Sequence, residues 1–62
     1  MKPGDKVQAK AFGNKKITRI VVELTENTVV ICTEKEWRTA AQEMRKPDGV
    51  GFPARDVIPL SA

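Results

Sequence analysis

The sequence contains no histidine and no tyrosine, one cysteine, and only three aromatic residues, Phe12, Trp37 and Phe52. Each shortage removes a class of function. Without histidine the usual general base and the commonest metal ligand are missing, so no catalytic residue, metal or cofactor is expected. Cys32, being alone, cannot form an internal disulfide, which suits a reducing cytoplasm. The longest apolar runs, Ile20 to Val22 and Val29 to Cys32, are far too short to span a bilayer. The opening Met1-Lys2-Pro3-Gly4-Asp5 has no apolar stretch, so no secretory leader is expected. Glycine is dispersed at positions 4, 13, 49 and 51 and builds no phosphate-binding loop.

What is present describes one small folded domain over residues 1–62. Hydrophobic residues make up 40% and charged residues 31%, a folded rather than a disordered balance. A chain of about 60 residues buries only roughly 60% of its unfolded surface, so its core is thin. With no disulfide or metal expected, efficient packing or self-association must supply the stability. A homodimer therefore stays open.

Lys6 to Phe12 alternates Val7, Ala9 and Ala11 with Lys6, Gln8 and Lys10, which predicts a half-exposed strand. Gly13-Asn14 follows, and two residues that tolerate positive φ predict a tight two-residue hairpin turn. The second strand, about Lys15 to Leu24, becomes apolar on both faces at Ile20, Val21 and Val22. The third, Thr28 to Thr33, is apolar on both faces as well. Strands of that kind are covered on both sides.

The cover on one side is predicted to be a helix from Glu34 to about Lys46. Thr33-x-x-Glu36 matches a capping box. Trp37, Ala40, Ala41 and Met44 fall on one helical stripe, and Glu34 and Arg38 form an i,i+4 pair. Pro47-Asp48-Gly49 ends the helix. The rest predicts a short strand near Gly51-Phe52, a single helical turn at Pro53 to Asp56, and a last strand at Val57-Ile58. A sheet this small loses its edges most readily by curling into a barrel. The expected fold is mostly β, a five-stranded small barrel with one amphipathic helix between the third and fourth strands.

The C-terminal Gly51-Phe52-Pro53-Ala54-Arg55-Asp56-Val57 resembles the ending of Src-homology-3 domains, where a short helical turn precedes the last strand. The opening Pro3-Gly4-Asp5-Lys6-Val7 is similar to the first strand of Tudor-like and ribosomal translation-factor barrels. The pattern as a whole looks like that of small bacterial proteins. The resemblance implies a Src-homology-3-like barrel. It does not imply polyproline binding, because the tyrosines of that groove are missing, Asp56 replaces its C-terminal aromatic and Trp37 falls in the helix. A Tudor-type aromatic cage is likewise undersupplied.

Charge is the most informative feature. Residues 1–19 carry Lys2, Lys6, Lys10, Lys15, Lys16 and Arg19 against Asp5, a balance of +5, whereas the rest of the chain sums to −2. Lys6, Lys10, Lys15, Lys16 and Arg19 are therefore the candidate contacts to a phosphate backbone, DNA or RNA, in a sequence-tolerant and salt-sensitive manner. The competing reading is a solvated sheet face whose lysines guard an edge strand. Base readout and stacking by exposed aromatics are not apparent in the sequence. The alternative function is a protein-interaction or homodimer surface on the helix, made by Trp37, Arg38, Ala41 and Met44. Cys32 reads as a packing residue and Asp5, Asp48 and Asp56 as turn caps.

Overall fold

The computed structural model describes residues 1–60. Five strands form one antiparallel sheet: β1 (Lys6–Lys10), β2 (Lys16–Leu24), β3 (Thr28–Cys32), β4 (Val50–Pro53) and β5 (Val57–Pro59), in the spatial order β4-β3-β2-β1-β5. Among the described residues one α-helix, α1 (Glu34–Gln42), lies between β3 and β4, with 3-10 turns at Phe12–Asn14 and Ala54–Asp56. The expected sequence of elements is present. The sheet keeps two edges, β4 and β5, with no ladder joining them among the described residues.

Alternation sets the faces. Val7 and Ala9 are fully buried, Gln8 between them is half-buried, and Lys6 and Lys10 on either side are exposed. One face of the sheet gathers Val7, Ala9, Val21, Val29, Ile31 and Val57 into a core. The opposite face carries a second cluster, Ile20, Val22 and Cys32, against which Val30 and Trp37 pack. The doubly apolar centre of β2 and β3 thus serves two cores, as its composition requires. A bulge between Val21 and Glu23 turns both Val22 and Glu23 to the helix side, where Glu23 meets Lys46 at 3.2 Å.

The hairpin between β1 and β2 corrects the predicted two-residue turn. The ladder closes at Lys10↔Lys16, leaving a five-residue connection, and the Ala11 amide donates to the Lys15 carbonyl at 2.6 Å. Gly13 (φ 73°) and Asn14 (φ 63°) are both left-handed, as their residue types suggest. Register explains the longer loop. A two-residue turn would set Lys10 across from Ile17 and Lys6 across from Val21, on shared faces. The observed register pairs Ala9 with Ile17 and Lys10 with Lys16, so apolar and charged residues separate.

The helix is also shorter than predicted. Its start follows the capping pattern in part: the Glu36 amide donates to Thr33 Oγ1 at 3.0 Å. It ends at Gln42, where the Met44 amide donates to the Ala41 carbonyl (3.3 Å) and the Arg45 amide to the Ala40 carbonyl (3.0 Å). This paired reversal is the glycine-favouring helix terminus, here with Met44 in the left-handed position at φ 55°. Met44 is consequently off the helical stripe and 92% exposed.

Beyond the helix, the Glu36 carboxylate does not close the capping box. It accepts from Arg45 Nη1 at 2.6 Å and from the Asp48 amide at 3.0 Å, tying the connection to β4 back to the first helical turn. Next to Glu36, the Trp37 ring lies against Gly4 (φ 95°), where a Cβ would stand 3.5 Å from the indole.

Candidate nucleic-acid interface

The outer face of the sheet is covered only in part. Trp37 of α1 packs over Ile20, Val22 and Cys32, on the β2–β3 side. The β1–β2 end beyond it is bare. There Lys10 stands directly across from Lys16 and Gln8 across from Thr18, while Ile58 of β5 flanks Gln8. Like charges directly opposed on a sheet destabilise each other, and Lys15 in the adjoining loop adds a third cation of the same sign.

A fourth cation arrives from the far end of the chain. β5 runs antiparallel to β1 with Val57 across from Ala9, so the Ala54–Asp56 turn lies beside the end of β1. Gln8, Lys10, Asn14, Lys16, Arg55 and Asp56 line one cleft of about 400 Å³. No carboxylate lies within 4.0 Å of the Lys10, Lys15, Lys16 or Arg55 charge among the described residues. The ion pairs gather elsewhere, around α1: Lys6 with Glu34 (4.0 Å), Arg38 with Glu34 (2.9 Å), and Arg45 with Glu36 (2.6 Å) and Glu43 (2.5 Å).

The five basic residues expected to act together are therefore divided. Lys10, Lys15 and Lys16 share the bare end. Lys6 stands on the same face but beside Glu34, near the helix. Arg19 is on the other face, across from Val7, with Nη1 donating to the Thr18 carbonyl at 2.8 Å. It lines a separate cleft of about 380 Å³ with Ile17, Phe52, Glu36 and Asp48. Arg55 was missed because its approach depends on a pairing between chain ends. A signal existed: β5 had to pair with β1 or β4, and the first option brings the Ala54–Asp56 turn, with both Arg55 and Asp56, beside Lys10.

The helix residues are also dispersed. Trp37 is half-buried against the second core, and Arg38 is engaged by Glu34. Ala41 is exposed and borders, with Trp37, Arg45 and Pro47, a shallow groove of about 190 Å³. Met44 points away past the helix end.

Electrostatics at the remaining reactive groups favour structure over chemistry. Burial, aided by the nearby Glu36 charge, pushes the Cys32 thiol up and keeps it protonated. Hydrogen bonds from Arg45 and from the Asp48 amide hold the Glu36 carboxyl below the usual glutamate range, and Glu36 and Glu43 in turn raise the Arg45 guanidinium. No cluster of three His, Cys, Asp or Glu residues that could hold a metal ion occurs among the described residues. No helix there is long and apolar enough to cross a membrane. No family model matches the chain, and no curated protein or solved structure matches it either.

Proposed function

We propose that this chain is a small non-catalytic binding module that takes nucleic acid, without regard to sequence, on the basic end of its β1–β2 hairpin. The observation that carries the proposal is the cleft where Lys10, Lys16 and Arg55 meet with Asp56 as its one carboxylate, beside the exposed Lys15, none of the four cations forming an ion pair among the described residues. A face kept for solvation alone interleaves charges of both signs. Here Asp56 offsets only part of the repulsion, and a phosphate backbone would relieve the rest while releasing its own counterions.

The architecture that presents this end is a curled sheet, similar to the Src-homology-3-like barrels. β4 and β5 occupy opposite edges, yet only Ala54–Asp56 separates them in the chain. Four steps of extended chain reach at most about 14 Å, whereas the edges of a flat five-stranded sheet lie about 19 Å apart. The sheet must bend to let the chain pass, which supports a partly open barrel. Cys32, buried and unpaired, suits a reducing cytoplasm. The second reading, a protein partner or second copy on Trp37, Arg38, Ala41 and Met44, draws less support, since Trp37 faces the core and Met44 leaves the helix.

The test is the double variant Lys15→Glu/Lys16→Glu, titrated with a labelled oligonucleotide at low salt. Both side chains are exposed and form no ion pair among the described residues, so binding should be lost and the melting temperature held or slightly raised. Retained binding, or a chain that no longer folds, overturns the proposal.

A further inference from the structure

Phe12 is 100% exposed, at the tip of the connection between β1 and β2. A phenylalanine in that state leaves its whole ring in water and adds nothing to the core. The backbone holds it there. The Phe12–Asn14 turn contains two consecutive left-handed residues, and the Ala11–Lys15 hydrogen bond closes the loop beneath it. The tip is open on its far side, since a Cβ added at Gly13 would meet no atom within 4 Å. Lys10 and Asn14, each two residues away and so within about 7 Å along the chain, both line the basic cleft.

We propose that Phe12 is a stacking platform for an unpaired base, so that the ligand of the basic end is a single strand rather than a duplex. The inference rests on the nucleic-acid reading above and specifies its substrate class. Single strands are held by a cationic track for the phosphates together with aromatic rings on which bases stack. Phe12 supplies the ring, and Lys10, Lys15, Lys16 and Arg55 the track, with Gln8, Asn14 and the single carboxylate Asp56 in the cleft as polar contacts to base or sugar. A duplex keeps its bases stacked on one another and offers no face to the ring. Insertion into a lipid surface is the poorer fit, because membrane-surface anchors present an apolar face, whereas Ala11, Gly13, Asn14 and Lys15 surround Phe12.

The experiment compares Phe12→Ala, Phe12→Trp and the wild-type chain, by fluorescence anisotropy, against labelled oligothymidylate, oligouridylate and a duplex, each about 12 units long. The wild type should bind the single strands more tightly than the duplex. Phe12→Ala should weaken single-strand binding roughly 5- to 150-fold, the range that one stacked base contributes. Its salt dependence should stay unchanged, because no charge is removed. Phe12→Trp should restore the affinity, which a merely structural loop residue would not require.

Circular dichroism of Phe12→Ala should match the wild type, since the ring touches no core residue. If Phe12→Ala binds like the wild type while Lys15→Glu/Lys16→Glu does not bind, the stacking role is overturned and the basic track stands. If the wild type binds neither single strand nor duplex at low salt, both fall together. Equal affinity for duplex and single strand also overturns the inference. So does a Phe12→Ala defect confined to phosphatidylserine vesicles.

Discussion

Counterion release turns the four converging cations into a measurable slope. Each phosphate contact to a single strand contributes about −0.7 to the slope of log affinity against log salt. Lys10, Lys15, Lys16 and Arg55 together predict a slope near −2.8 for the wild-type chain. Between about 50 and 200 mM salt, that slope amounts to a loss of about 50-fold in affinity. Arg55→Ala should bring the slope to about −2.1 and weaken binding at every salt concentration. Lys6→Ala and Arg19→Ala should leave it near −2.8, because Lys6 lies beside Glu34 and Arg19 lies on the opposite face. The assay is anisotropy of a labelled oligothymidylate at five or so salt concentrations, with circular dichroism as the folding control. A result in which Arg19→Ala lowers the slope and Arg55→Ala does not would refute the geometric grouping. It would mean that phosphates run along the β2 face carrying Arg19, away from the cleft.

Two further predictions concern the helix. Met44→Gly should stabilise the fold by about 0.5–1 kcal/mol, read as a higher urea midpoint, because glycine accepts the left-handed terminus that methionine resists; an unchanged or lower midpoint would show that the terminus is not strained. Glu36→Gln should flatten the acid limb of the stability profile. The Glu36 carboxyl is held below its ordinary value, so its contribution is present above the unfolded glutamate pKa of about 4.3 and lost as pH falls through the lowered folded one. Thermal melts of wild type and variant between pH 6 and pH 3 should converge on acidification, and parallel curves would contradict the assignment.

Local pattern made much of this fold legible. Alternation from Lys6 to Lys10 named β1 and its buried face, the doubly apolar centre of β2 and β3 announced two cores, and Thr33 marked the helix start. What escaped depended on competition between sites. Glycine and asparagine fitted a two-residue turn locally, but the register demanded by Ile17 and Ala9 overrode it. The periodic stripe to Met44 suited a longer helix, yet Arg45 and the Asp48 amide found a partner in Glu36 and the chain turned away. The basic end was half visible. Three lysines close in sequence could be counted, whereas Arg55 comes beside them only through the β1–β5 pairing.

The bare patch itself follows from dimensions. A nine-residue helix is about 13 Å long, and five strands side by side span about 19 Å before they curl. One helix of that length cannot roof the whole outer face, and its half-buried tryptophan goes where Ile20, Val22 and Cys32 need cover. The uncovered strands must then be mainly polar, which accounts for Gln8, Thr18 and the lysines without any ligand, with Ile58 beside Gln8 the exposed apolar exception. Polarity does not account for the sign. Glu23, Glu34, Glu36 and Glu43 all pair with cations on the helix side, whereas the cleft at the bare end sets Asp56 alone against Lys10, Lys16 and Arg55. Solvation requires only a wet surface there. A surface with a positive excess, Lys10, Lys16 and Arg55 against Asp56, and an unburied ring at its tip would suit the proposed phosphate chain with free bases.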